Sequence, residues 1–422
     1  MSTWKKWLKP PIGKFLVQLH KWNAWVIVLL TISGIVLSIG SIRGDLGAGR
    51  VWLKQIHIWA GVLSTILLII YLPRMRKHLK QLRNKPGQKF NLSVVLFLLV
   101  GWIISGIILW QGREFTPRWN TAALAIHDIF TWVGIPYALF HSITRSRWVK
   151  EPTKRTIKAE EQIIITENGK IEVIRPVITG KPFYTRREFL RWGVGVGTVI
   201  IVGPMFIKWL SSNVLNIGSG DVGGVLTEAD GSPLRLAPVP LADSVAVIGG
   251  GAEGRFRIYT VTPIPKFHSE TWNFYVKGLV DKPLEFNWAQ FLELKRKVQV
   301  SDFHCVTGWS VYHNTWEGIP LSAMLEMAGV QSKGKFVKFY SGDGVYTDCL
   351  SLDVAKGEDI MIAVMHDGKP ISADLGGPVR LIVPQMFAYK SVKWLQGIEL
   401  IEEDHFGYWE VRGYDNDAWV KA

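Results

Sequence analysis

Four histidines stand in or at the edges of long apolar runs: His20, His57, His127 and His141. An ionisable side chain in such a place is costly, and a ligand role gives a reason for keeping it. His127 and His141 lie fourteen residues apart on one run. On a helix that spacing puts them on a common face to within roughly 40° and separates them by roughly 21 Å along the axis. Two stacked cofactors, one near each surface of a bilayer, suit this separation. By depth, His57 pairs with His127 and His20 with His141. Paired imidazoles leave an iron with no open position and favour electron transfer over oxygen binding. A neutral ring also becomes less costly in lipid once it holds a metal. His78, inside RMRKHLK, reads as a solvated residue, and Asp128 reads equally as a partner of His127 or as a span-end aspartate.

A second constellation lies far downstream. Cys305, in DFHCVTGWS, follows the β-type run KVQVS. A lone cysteine is usually packing, and Cys349, in another β-type run, is expected in the core. Cys305 differs because GGPVRLIVPQMFAYKSVKWLQGIEL sets Arg380, Lys390 and Lys393 among glycines and apolar strand residues. Cationic groups with backbone amides are what a phosphate ester requires. A soft thiolate beside such an anion site suggests a transition metal carried by a phosphorylated organic cofactor.

These residues must be held by two kinds of element. Five apolar stretches are long enough to cross a bilayer: approximately Trp22–Ser41, Ile56–Leu72, Leu92–Trp110, Thr121–Phe140 and Trp192–Leu210. Residues 1–21, 73–91 and 145–191 carry five, seven and twelve Lys+Arg, against three in 42–55 and two in 111–120. The positive-inside rule then puts the N-terminus in the cytoplasm and sends residues 212–422 to the far side. No cleavable leader is read at the start. TRREFLRWGVGVG, with Arg186-Arg187 before the fifth span, resembles an internal twin-arginine export signal, a route taken by folded domains. QIIITENGKIEVI around Asn168-Gly169 predicts a small hairpin. Beyond residue 212, short β-type runs alternate with turn signals, with one helical patch near Pro320–Ala328. No internal repeat or low-complexity tract is evident.

Composition agrees with that division. The 422 residues carry a formal charge of +14, 48% hydrophobic side chains and 20 Trp. Residues 1–211 hold 30 Lys+Arg against 9 Asp+Glu, and residues 212–422 hold 19 against 26. The basic excess thus belongs to the apolar half. This excludes a nucleic-acid binder and describes a membrane domain joined to a mildly acidic one. Two cysteines exclude a disulfide scaffold. The expected layout is a four-span domain at 1–150, a basic linker with a hairpin at 151–190, a fifth anchoring helix at 191–211, a linker at 212–249 and a catalytic domain at 250–422.

Two resemblances follow from these residues. The four spans with His20, His57, His127 and His141 resemble the four-helix dihaem cytochrome b of bacterial membranes, which exchanges electrons with quinone. The likeness covers about residues 10–148. Downstream, WNFYVKGLVDKP, DFHCVTGWS, YSGDGVYTDCLSLDVA, GGPVRLIVP, YKSVKWL and GYWEVRGY, in that order, resemble the sulfite-oxidase-like molybdopterin enzymes, especially the bacterial methionine-sulfoxide-reductase type. That likeness covers about residues 250–416. It implies that Cys305 is the thiolate ligand of molybdenum. It also implies that Arg380 and the Ser391-Val392-Lys393 turn hold the pterin and its phosphate, that Asp343 lines the pocket, and that Tyr259 lies on a cofactor-contacting loop. Two departures stand out. Leu375 occupies the place of a family His or Asn, with Asp374 beside it as a possible replacement. Gly308-Trp309 stands where sulfite-oxidising members carry an arginine. Trp309, His313, Tyr408 and Arg412 are candidates for the substrate pocket.

The fold class expected is therefore multi-domain: an all-α four-helix transmembrane bundle, a fifth transmembrane helix, and a C-terminal α+β, β-rich molybdopterin domain. The implied cofactors are a molybdenum-molybdopterin and two haems b. The implied partners are the lipid bilayer, a membrane quinone or quinol, the twin-arginine export machinery and a small or protein-borne oxide substrate. In the bacterial cytoplasmic membrane, electrons from quinol would pass through the haems to an extracytoplasmic molybdenum centre that reduces an S-oxide or N-oxide, methionine sulfoxide among them. The same wiring run backwards would oxidise sulfite or a related oxyanion. A third reading is a membrane cytochrome with a degenerate binding domain.

Overall fold

The computed structural model describes residues 12–38, 46, 49–145, 162–165, 171–174, 186–213 and 225–421. Its described residues fall into two compact units: residues up to His127 together with those from Ser212 onward, and Asp128–Ser211.

Among the described residues, five helices are long and apolar enough to cross a membrane. They are α1 (Ile12–Ser38), α2 (Gly49–Gln81), α3 (Pro86–Trp110), α4 (Pro117–Arg145) and α5 (Arg186–Asn213). These are the five stretches expected from hydropathy, each lengthened by flanking residues whose backbone bonds the helix satisfies internally. Their apolar side chains stay largely exposed, as suits a lipid solvent: Trp22 is 67% exposed and Ile69 58%. Proline opens α3 and α4, where its missing N–H costs nothing. Between α4 and α5 the strands β1 (Gln162–Ile165) and β2 (Ile171–Ile174) pair antiparallel, as the hairpin reading expected.

In the first unit the C-terminal domain is built on two five-stranded sheets. The first joins β5 (Lys297–His304), β6 (Ser310–Pro320), β9 (Met361–His366) and β10 (Lys369–Pro370), with β11 (Arg380–Ile382) also paired to β9. The second runs β4 (Leu284–Asn287), β3 (Asn273–Gly278), β12 (Leu395–Ile401), β7 (Phe336–Ser341), β8 (Thr347–Ser351). β7 alternates half-buried and buried residues along FVKFYS, the mark of a strand with one face on a core. β9, MIAVMH, is buried at five successive positions, because both its faces are covered. The helix Leu321–Ala328 supplies Leu321, Met324, Leu325 and Ala328 to the main core beside Phe274, Phe291 and Phe339. A second cluster gathers Phe256, Phe303, Trp309, Trp316 and Leu375, and Leu124 of α4 packs against it.

β6 and β9 approach so closely at Gly318 that a Cβ there would lie 2.1 Å from the Ile362 carbonyl oxygen. Gly318→Ala is expected to cost about 3 kcal/mol through forced strand separation. A fall in the temperature of the tryptophan-fluorescence transition of the purified protein checks it.

Candidate functional site

Cys305 sits at the tip of the β5–β6 hairpin. Its N–H donates to the Trp309 carbonyl (2.9 Å) and its carbonyl accepts from the Gly308 N–H (2.9 Å). Gly308 holds φ at +96°, a region glycine occupies without steric cost. The thiol lies 3.1 Å from the Thr307 hydroxyl. Cys305 opens into a cavity. Its wall also contains Tyr259, Trp309, Asp343, Arg380, Ser391 and Lys393. Segments separated by more than a hundred residues thus converge, and they are the segments whose motifs pointed there.

Arg380, at the start of β11, is 1% exposed. It donates to the carbonyls of Leu375 and Ser391 and lies 4.9 Å from the Phe303 ring centroid. Its buried Nε has no protein acceptor. Burial pulls the guanidinium down to about 9. The Lys393 ammonium donates to the carbonyls of Asp374 (2.7 Å) and Tyr259 (3.2 Å). Burial, and then repulsion from Arg380, pull it down to about 7. Two depressed cations and an unsatisfied donor in one wall describe a cradle for an anion. The buried Trp309 Nε1 likewise lacks an acceptor. The donor set therefore fits a phosphorylated pterin, with the Cys305 thiolate as the soft metal ligand.

Other expected residues divide between the cavity and the interior. Asp343 lines the cavity, but its carboxylate accepts from the Thr262 hydroxyl and the Val345 and Tyr346 N–H groups, so it shapes the loop. Val392 is 1% exposed in the main core and its carbonyl accepts from the Leu381 N–H. Its side chain is core, absent from the cavity wall, and of its turn the neighbours Ser391 and Lys393 are the ones that reach the cavity. Lys390 is engaged elsewhere: it pairs with Asp348 (2.9 Å) and Glu410 (2.6 Å) in the interior. Those carboxylates hold the ammonium charged, while burial raises Asp348. Asp374 turns its side chain to Ser372 and the Leu375 N–H, so it does not replace the family residue absent at Leu375. Of the four substrate-pocket candidates, Trp309 lines the cavity. His313 faces Glu253 at 3.3 Å, and Arg412 stacks on Tyr408 at 3.6 Å, away from that wall. Cys349 is buried, as expected.

In the helices of the first unit, the His57 and His127 ring centroids stand 6.3 Å apart at 69°. Two imidazoles bound through one nitrogen each to a shared metal, at roughly 2 Å per bond, need about this separation. The other nitrogens are engaged: Nδ1 of His57 lies 2.8 Å from the Ser33 hydroxyl, and Nδ1 of His127 2.9 Å from that of Ser105. Such partners fix the orientation of each ring. Each serine is followed by a glycine: a Cβ on Gly34 would crowd His57 at 3.2 Å, and one on Gly106 would meet His127 at 3.8 Å, an ordinary contact. Ile32-Ser33-Gly34-Ile35 and Ile104-Ser105-Gly106-Ile107 are the same motif, 72 residues apart. On α1 and on α3 this short motif thus sets a serine hydroxyl against a histidine of the helix that follows. His20 is on the exposed side of α1. His141 belongs to the second unit, where the Tyr137 ring stacks 6.5 Å from it. The Arg186 and Arg187 side chains lie outside the described residues.

The domain and the helices meet within the first unit. A Cβ on Gly308 would lie 2.8 Å from Leu109 of α3 and 3.8 Å from Leu124 of α4. The α3–α4 connection pairs Arg113 with Asp415 and Glu114 with Lys421 (3.7 Å). Arg50 of α2 lies 3.7 Å from the Trp409 ring centroid and stands in the cavity wall. Sequence reasoning missed Ser33, Ser105 and Arg50. The repeated motif would have found the serines, and basic residues on the sparsely charged side of the spans were the signal for Arg50.

The family model for the oxidoreductase molybdopterin binding domain matches residues 261–409, and that for prokaryotic cytochrome b561 matches residues 12–157. Over 167 residues the chain is 35% identical to the uncharacterized oxidoreductase YuiH of Bacillus subtilis, covering 39% of this chain and 84% of that protein. The chain belongs to the molybdopterin-binding oxidoreductase family. It joins that domain to a cytochrome b561-type helical domain, and the families imply a molybdenum cofactor and haem b. It is 29% identical over 160 residues to the protein-methionine-sulfoxide reductase catalytic subunit MsrP of Campylobacter jejuni, covering 34% of this chain and 54% of that one. It is 28% identical over 181 residues to the NADH nitrate reductase of Solanum lycopersicum, covering 36% of this chain and 20% of that one. The chain thus spans about half the length of the first of these and a fifth of the second.

Two outcomes are expected at these sites. Ser33→Ala and Ser105→Ala should each weaken haem retention about tenfold, read as loss of b-type absorbance during transfer to apomyoglobin. Lys393 falls from 10.5 to about 7 on folding, so the unfolded chain binds the extra proton between those values. Stability of the cofactor-free protein should therefore rise with pH across that window. The Lys393→Met variant should lack that rise in chemical-denaturation midpoints measured from pH 6 to 10.

Proposed function

We propose that this protein is a membrane-bound oxidoreductase that passes electrons between quinol and an extracytoplasmic molybdenum-molybdopterin centre through two b haems, reducing an S-oxide or N-oxide. Methionine sulfoxide is one such substrate, named in a relative that covers a third of the chain. The layout proposed is a dihaem domain over 1–150, a linker to 190, an anchoring helix over 191–211, a linker to 249 and the catalytic domain beyond. The N-terminus is cytoplasmic, and the Arg186-Arg187 segment serves twin-arginine export.

One observation carries this reading: the turn that holds Cys305 rests directly on the helix that carries His127. Leu124, in contact range of Gly308, precedes His127 by one helical turn, roughly 4.5 Å along the axis. Arg50, Lys54 and His57 stand on α2 at i, i+4 and i+7, so the partner helix also runs from a histidine to the cavity. A packed, water-poor path of this kind suits electron transfer between two sites.

Bound at Cys305, a molybdenum-pterin supplies two-electron oxygen-atom transfer. The chain's own part is positional. Cys305 offers the thiolate, and the hairpin bonds of residues 305–309 fix its direction. Arg380, Lys393 and Ser391 hold the anionic end of the cofactor, while Phe303 and Trp309 keep water from the metal side. In the helices, the Ser33 and Ser105 hydroxyls orient His57 and His127. His20 and His141 are proposed as the second ligand pair. The reverse reading, oxidation of sulfite or a related oxyanion, keeps the same wiring and is favoured by the arginines of the cavity wall.

Cys305→Ala is expected to keep its b-type absorption and lose turnover with reduced dye as well as with quinol. His127→Ala should lose quinol-driven turnover yet keep dye-driven turnover. Equal loss of both activities in His127→Ala would count against the relay.

A further inference from the structure

The cavity beside Cys305 is lined by cations from both the C-terminal domain and a membrane helix. Its wall contains Arg50, Arg257, Arg380 and Lys393, against one carboxylate, Asp343. A phosphate ester brings about −1.5 to −2, and the cradle for it is Arg380 with Lys393, both tied to carbonyls of their own domain. Arg50 comes from elsewhere. It is the second residue of α2, on a helix that otherwise turns to the membrane. Its guanidinium lies 3.7 Å from the Trp409 centroid. Stacking of this kind engages the face of the fork and directs its N–H donors along the plane. One turn further, the Lys54 ammonium lies 5.8 Å from the centroid of Tyr414, another wall residue, and within electrostatic range of both Arg50 and Cys305. Both cations thus stand on the α2 face that meets the cavity wall.

We propose that Arg50, supported by Lys54, binds an anionic group of the substrate beside Cys305, so that the membrane helix α2 completes the substrate pocket and the protein acts on negatively charged oxides. Gly308-Trp309 leaves no cation next to the thiolate in sequence, and α2 brings one in from the other domain. The placement also ties the pocket to the helix that bears His57, seven residues on. This inference rests on the reading above that the cavity handles an oxide substrate.

The test uses the full-length holoprotein and two probes that share one S-oxide and differ in charge: N-acetylmethionine sulfoxide and its methyl ester. With reduced dye as donor, the wild type should prefer the acid in kcat/KM. Arg50→Gln should lower the acid-over-ester preference about tenfold, and Arg50→Lys should restore part of it. Molybdenum, pterin and b-type absorbance should match the wild type. An unchanged acid-over-ester ratio would overturn the proposal. So would loss of pterin from Arg50→Gln, which would assign the arginine to the cofactor. If the wild type reduces neither probe, the oxide-reductase reading fails on its own. Calorimetric binding of sulfate to the holoprotein then decides the role of Arg50: about tenfold weaker binding in Arg50→Gln supports it, and equal binding sinks it.

Discussion

The seat of the Cys305 turn on α3 and α4 is the contact on which the rest depends. A thiolate at the tip of a hairpin has no fixed relation to anything beyond its own domain. Here Gly308 admits Leu109 and Leu124 against the backbone of the turn, and Leu124 enters the same apolar cluster as Phe303 and Trp309. The packing is therefore continuous from the pterin-type cavity to the helix that holds His127. A side chain on Gly308 would strain the turn at its positive φ and push the end of Leu109 aside.

Charge arrangement follows from the same contact. Basic residues are few in the connections at 42–55 and 111–120. Arg50 and Arg113 are placed there because each meets the C-terminal domain, through Trp409 and Asp415. The domain's mild acidity and aromatic content near residues 408–417 are the complement of those helix ends.

Much of this was legible in the residues. Long apolar runs declare helices regardless of tertiary context, and all five appear. The Cys305, Arg380 and Lys393 motifs carry backbone requirements as well as chemistry, so their convergence could be expected. What was not legible was the direction of side chains within a motif. Lys390 and Lys393 look alike in YKSVKW, yet the chain turns between them, sending Lys390 to two buried carboxylates and Lys393 to the cavity. Val392 faces the core for the same reason. Asp374 and His313 satisfied themselves locally, which sequence spacing does not reveal. Arg50 escaped notice because its role exists only once two domains are docked.

The two serine–histidine contacts have a consequence for assembly. Each half contributes one histidine ring and one hydroxyl that steadies it, so neither half owns a complete binding site. A metal caught between His57 and His127 would act as a rivet between α1–α2 and α3–α4. Loading the pigment and closing the bundle then become a single event, and a chain that fails to acquire it keeps its two halves free to part in the lipid.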